Sequence, residues 1–188
     1  MMEQSRGGQE QRRATHAGTW YDADCKSLTG QIRRWLQRST KVCDGQIKAL
    51  ICPHAGLRFS GSTAASAWKQ VNPSDFKRVF LLGPSHYKYF RGVSLPSDRC
   101  SVYATPLGDL QLDTDTLHAL RATGVFGEVS LAEDEEEHSI ELMLPFLRHT
   151  FPEGVKIVPM IVGDLKSLED GNKFADLLLE YFLQDVKN

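Results

Sequence analysis

The sequence predicts an α/β fold, a central sheet of mostly parallel or mixed strands flanked by helices. Three observations lead there. Short apolar runs, "IKALIC" at 47–52, "RVFLLG" at 78–83 and "KIVPMIV" at 156–162, read as buried strands. Segments of helical spacing lie between them, which is the alternation of an α/β layer structure. The chain's 188 residues, 41% hydrophobic and 24% charged, suit one domain with a sizeable core.

Each element has its own signal. Residues 1–13 are rich in Gln, Glu, Arg and Gly and read as a disordered leader, leaving 14–188 as the folded domain. Leu28, Ile32, Trp35 and Leu36 recur at helical spacing over 25–38, with Asp22 or Asp24 as N-cap. The run 47–52 is short, apolar and closed by Pro53, so it predicts the first strand. A small-residue helix follows over about 62–71, then the second strand at 78–83. "SVYATPLGDLQLD" predicts extended segments around a turn, and 113–123 a helix. Residues 138–150 read as a helix with Pro145 in its first turns or at a kink. The third strand, 156–162, leads to a closing amphipathic helix over 165–183, whose apolar face carries Phe174, Leu177, Leu178 and Phe182.

Composition excludes several classes. A formal charge of −2 without a basic cluster gives no electrostatic footprint for nucleic acid. The four cysteines, Cys25, Cys43, Cys52 and Cys100, form no C-x-x-C pair, so neither a structural zinc nor a thioredoxin-like motif is indicated. "MMEQSRGGQEQRRATHAG" lacks the apolar core of a signal peptide, and no apolar run approaches the roughly 20 residues of a membrane span. The expectation is a reducing, cytoplasmic setting without membrane insertion.

Chemistry concentrates in two similar units. In "ICPHAG" and "LGPSHY", His54 and His86 each follow an apolar run and a proline. Loops leaving the carboxyl ends of strands gather at one rim in such sheets. The two imidazoles are therefore expected within about 5 Å, close enough to share a metal. A carboxylate third ligand would suit Fe(II). The alternative is a pair of ordinary loop histidines hydrogen-bonded to backbone. In "EDEEEHSIELMLPFL", residues 133–136 are expected to be solvated charges at a helix start. His138 is a candidate acid/base group, with Glu137 or Glu141 orienting it. "THAGTWY" places His16, Trp20 and Tyr21 together, either as packing that ties down the terminus or as a stacking wall for an aromatic or phosphotyrosine ligand. Cys52 reads as a small buried hydrophobe rather than a metal ligand.

"ATHAGTWY", "ICPHAGLRFSGSTAASAWKQV", "RVFLLGPSHY", "YATPLGDLQLD", "DEEEHSIELMLPFL" and "VPMIVGDL" occur in the order and spacing of the Memo family, named for mediating ErbB2-driven cell motility. The chain resembles that family over 14–188. The resemblance implies a fold similar to class III extradiol dioxygenases. By it, His54 and His86 match two metal-binding histidines, His138 matches a histidine of the same cleft, and His16, Trp20, Phe59 and Glu137 line a ligand site. It implies iron or copper as cofactor and a phosphotyrosine-containing receptor peptide as partner, in the cytoplasm and also the nucleus. Family members continue past the point this sequence reaches, into a stretch carrying the third metal ligand, a cysteine in Memo proteins and a glutamate in the dioxygenases. The expectation is a C-terminally truncated chain that lacks that ligand, holds metal weakly, and exposes a sheet edge through which it dimerises. Leu57, Phe59 and Met143 stand where close relatives carry tyrosine, tyrosine and histidine. Two function classes follow: a signalling adaptor that binds phosphotyrosine peptides, or a metal-dependent redox or dioxygenase-like enzyme. An inactive fragment is the third reading.

Overall fold

The structure, a computed structural model, describes residues 9–185. Its strands form two mixed sheets. In the smaller, β1 (Glu10–Arg12) runs parallel to β4 (Cys100–Tyr103), which pairs antiparallel with β5 (Leu110–Gln111). In the larger, β2 (Arg78–Pro84), β7 (Lys156–Val162), β3 (Val93–Leu95) and β6 (Gly127–Glu128) lie in the order β2-β7-β3-β6. The pairs β2–β7 and β3–β6 are parallel, and β3–β7 is antiparallel. The β2–β7 ladder runs unbroken from Arg78↔Lys156 to Pro84↔Val162 and is the backbone of the molecule. No helix among the described residues is long and apolar enough to cross a membrane.

Helix packing follows from the apolar stripes. Helix α1 (Cys25–Arg38) starts at Asp24, whose carboxylate accepts the Ser27 N–H at 2.8 Å, and it buries Leu28 and Ile32. Helix α2 (Leu57–Trp68) crosses α1 at Gly61, where a Cβ would run into the Trp35 ring. Helix α5 (Leu144–Thr150) inserts Phe146 between Trp35 and Trp68, with ring centroids 6.2 and 6.4 Å away. Helix α3 (Thr114–Ala122) is capped by Asp113 and buries Leu117 and Leu120. Helix α6 (Leu168–Asp185) leaves the end of β7 and packs Tyr181 and Phe182 on Phe80 of β2.

Four expectations are corrected. The leader expected over 1–13 includes strand residues, because Glu10–Arg12 pair with β4 and the Arg12 side chain is fully buried; residues 1–8 lie outside the described part. The strand expected at 47–52 does not form. Its residues lie opposite β2 across a cavity of about 430 Å³, lined by Ile47, Leu50 and Cys52 on one side and Val79, Leu81 and Leu82 on the other, and Ile51 is 98% exposed. An apolar run records a wish for burial, but a strand also needs a ladder partner within hydrogen-bond reach. The helix expected from about 62 begins at Leu57, since Gly56 supplies the cap position and Gly61 lies within the helix at its contact with Trp35. The helix expected over 138–150 is broken. The acidic run forms its own helix, α4 (Leu131–Glu136), with a Ser130–Glu133 capping box; Glu137 is extended, and a 3-10 turn (Glu141–Met143) leads into α5 with Pro145 in its first turn.

Candidate functional site

Three short loops meet at the carboxyl end of β2. His54 lies in the loop before α2, which two contacts fix: Leu57 N–H donates to the Trp20 carbonyl at 2.9 Å, and Ser60 Oγ donates to the Ala55 carbonyl at 2.7 Å. His86 follows β2, where Ser85 N–H still reaches the Val162 carbonyl at 2.8 Å. His138 follows the extended Glu137. Gly83 permits this convergence, because a Cβ there would collide with Ser139 and Ile140.

The outcome is a cluster of three imidazoles. His54, His86 and His138 each offer a ring nitrogen, all within 4.8 Å of one another. His54 Nε2 and His86 Nε2 are 3.4 Å apart. Two imidazole nitrogens bonded to one tetrahedral metal at about 2.0–2.1 Å would lie about 3.3–3.4 Å apart, so this pair already has the spacing that a shared ion requires. Burial, together with the other imidazoles, holds the pKa of His54 and His138 below the ordinary histidine value, which keeps their lone pairs free of protons near neutrality.

Two carboxylates orient the ring of histidines. Glu137 Oε1 accepts from His86 Nδ1 at 2.9 Å and from Ser139 N–H at 2.9 Å, while Oε2 accepts the His86 N–H at 2.6 Å and the Tyr87 N–H at 3.3 Å. Burial pushes the Glu137 pKa up, but these donors outweigh it and hold the group at about 2. An ionised Glu137 fixes the proton of His86 on Nδ1 and turns the Nε2 lone pair toward His54, the arrangement seen when a carboxylate buttresses a metal ligand. Glu141 does the same for His16: its Oε2 accepts from His16 Nδ1 at 2.9 Å, and Tyr21 Oη donates to its Oε1 at 2.7 Å. Burial raises the pKa of Glu141, but the Arg12 guanidinium and the donors from His16 and Tyr21 lower it further. Trp20 stacks on His138, centroids 4.4 Å apart and planes at 28°.

The sequence that builds this cleft matches a protein family. The one described as Memo-like protein matches residues 12–188. The chain belongs to the Memo family. It is similar to protein MEMO1 of Danio rerio, 40% identical over 185 residues that make up 94% of this chain and 59% of the relative. The memo-1 homolog of Caenorhabditis elegans is 40% identical over 185 residues, 96% of this chain and 51% of the relative. Protein MEMO1 of Homo sapiens is 40% identical over 187 residues, 94% and 59% respectively. The chain thus spans between half and three-fifths of the length of these Memo relatives.

Within this Memo fold the expected residues separate into groups. His54, His86 and His138 come together, and the cluster offers a third nitrogen where the sequence anticipated two metal ligands with His138 as an acid/base group in the same cleft. Glu137 contacts His86 rather than open cleft, and its carboxylate is almost fully buried. His16 and Trp20 flank His138, with the His16 ring 6.0 Å from it. Phe59 does not join them: it is 71% exposed on the first turn of α2, under the Arg58 guanidinium at 4.5 Å. Residues 133–136 are not a solvated run, since Asp134 and Glu135 are buried against Arg12 and Arg13. The anchoring role of Arg12, with Asp134 and Glu141 as its partners, escaped sequence reading, since the acids lie more than 120 residues from it in the chain.

Replacing Glu137 by glutamine is expected to weaken metal binding about 10–100-fold, as loss of an outer-shell carboxylate does, measured by titration with Cu(II). It also carries a pH signature. The folded-state pKa of Glu137 lies below its ordinary value, so its contribution to stability is present above the usual carboxylate range and is lost as pH falls toward about 2. The stability gap between wild type and variant, followed by urea unfolding, should therefore close on acidification; a gap that widens in acid contradicts this assignment.

Proposed function

We propose that this Memo-family chain holds a redox-active metal ion, copper or iron, in the cleft of His54, His86 and His138. The observation carrying this reading is the spacing of three imidazole nitrogens, two of them already at a metal-sharing distance, with a buried carboxylate behind His86. Nitrogen-only donors suit copper at least as well as iron, and a bound ion would supply redox or Lewis-acid chemistry. The protein's own contribution is to gather three imidazoles, turn the His86 Nδ1 toward Glu137 and its Nε2 toward His54, and wall one side of the cleft with Trp20 and His16.

A second reading, for signalling linked to receptor tyrosine kinases and cell motility, is recognition of phosphotyrosine peptides. Arg58 and the exposed Phe59 stand together on the turn that follows His54, offering a guanidinium for phosphate beside a ring for stacking. The names of the relatives are compatible with such a role.

The experiment is a titration of the metal-free chain with Cu(II) and Fe(II), followed by catechol oxidation assays. Weak binding, lost on His54→Ala or His86→Ala without loss of fold, and no ring cleavage above background are expected. Ring opening that vanishes in His54→Ala restores the enzyme reading, and unaltered metal retention in both variants refutes the metal site.

A further inference from the structure

The three imidazoles of the cluster are held by different means. His86 is locked by Glu137, and the loop of His54 is tied to Trp20 and Ser60. His138 has no comparable restraint: its Nδ1 lies 3.6 Å from Glu137 Oε1, too far for a hydrogen bond, and that oxygen already serves His86 and Ser139. What does confine the His138 ring is its sandwich between Trp20, at 4.4 Å and 28°, and His86, at 4.3 Å and 32°. The indole is placed from two sides. Its backbone N–H donates to the His16 carbonyl at 2.9 Å, and its carbonyl accepts Leu57 N–H at the start of α2. The edge of its ring meets His16, itself pinned to Glu141, at 5.9 Å and 82°.

We propose that Trp20 is a positioning residue for His138: stacking of the indole sets the imidazole plane and makes His138 the third nitrogen of the cluster. The proposal rests on the metal-cleft reading and adds the element that converts a two-histidine site into a three-histidine one. Trp20 is thereby a wall of the protein's own cluster rather than an open platform on that face. The same stack makes the indole a reporter, because a paramagnetic ion bound to His138 would lie close enough to quench its fluorescence.

The test is a Cu(II) titration of the full chain by calorimetry and by tryptophan fluorescence, with Trp20→Leu, Trp20→Phe, His138→Ala, the Trp20→Leu/His138→Ala double variant, and His54→Ala. An aromatic pair of this kind predicts that Trp20→Leu weakens copper about three- to tenfold, with Trp20→Phe near wild type because a ring is restored. Since Trp20 acts through His138, the double variant should be no weaker than His138→Ala alone. Copper should quench a component of the fluorescence that is missing in Trp20→Phe. Wild-type affinity in Trp20→Leu, or additive losses in the double variant, overturns the positioning role. Copper affinity unchanged in His54→Ala instead overturns the metal cleft itself, so the two failures are distinguishable. Coincident thermal unfolding of wild type and Trp20→Leu in the absence of copper assigns the lost affinity to the cleft, and a large drop in the melting temperature assigns it to the fold and counts against the proposal.

Discussion

Replacing Arg12 by methionine will destabilise this protein more than any other single change at a polar residue, by about 3–5 kcal/mol, the range for removing one partner of a buried ion pair. The guanidinium is fully buried and all its donors are used. Nε reaches Asp134 Oδ1 at 2.9 Å, Nη1 reaches Glu141 Oε2 at 2.7 Å and the Arg13 carbonyl at 3.0 Å, and Nη2 reaches the carbonyls of Asp134 and Glu137 at 2.8 and 2.9 Å. Tyr103, whose hydroxyl donates to Asp134, lies beneath it with the ring centroid 5.2 Å from Cζ. Methionine fills a similar volume but leaves two buried carboxylates facing one another without a cation. For a domain of this size the loss corresponds to a fall of about 6–20 °C in melting temperature. The defect should also spread to the cleft. Arg12 holds the backbone at Asp134 and Glu137, one residue before His138, and holds the carboxylate that orients His16. Arg13→Met is the control, since that side chain is exposed and its pair with Glu135 faces solvent on one side. Equal melting temperatures for the two variants would show that the buried network contributes no more than a surface pair.

The same residue shows how far the sequence could be read. Strands β2 and β7 and helices α1 and α3 were legible because apolar runs and caps are local signals: Asp24 and Asp113 cap the helices they precede. His54 and His86 were legible as a pair because each follows a strand signal and a proline, although only His86 follows a real strand and the loop before α2 brings His54 to its end. The contribution of Arg12 was not, since its partners lie more than 120 residues away and a lone arginine in a polar stretch resembles a solvated one. The acidic run misled for the same reason. Its Ser130–Glu133 capping box is local but was passed over in favour of a later helix start, and the inward turn of Asp134 and Glu135 depends on a strand from the other end of the chain. The run 47–52 erred in the opposite sense, because its composition is that of a buried strand while its burial depends on a neighbour that the described residues do not provide.

That missing neighbour carries the second large effect: at tens of micromolar the 188-residue chain is expected to self-associate through the β2 edge. Among the described residues β2 pairs with β7 on one side only, and on the other it faces the cavity of about 430 Å³ across which 47–52 lies. The walls of that cavity are mostly apolar, and Leu82 and Ile51 extend the apolar surface to solvent. A row of unpaired backbone donors and acceptors beside such a surface is a template for another strand. Burying the apolar wall is favourable at about 25 cal/mol per Å² in a protein whose whole stability is of order 5–15 kcal/mol. Sedimentation velocity should show dimers or larger species, and Leu82→Lys, which places a charge on the outer edge strand, should return the chain to monomer. A fusion carrying the stretch that follows the matched region in the human relative tests the same surface from within one chain. If that stretch pairs with β2, the fusion will be monomeric and will melt well above the 188-residue chain, and hydrogen exchange will slow in β2 and in 47–52 together. A monodisperse monomer that unfolds cooperatively above about 60 °C without any addition, beyond most of the mesophile range, would show instead that 47–52 shields the edge unaided.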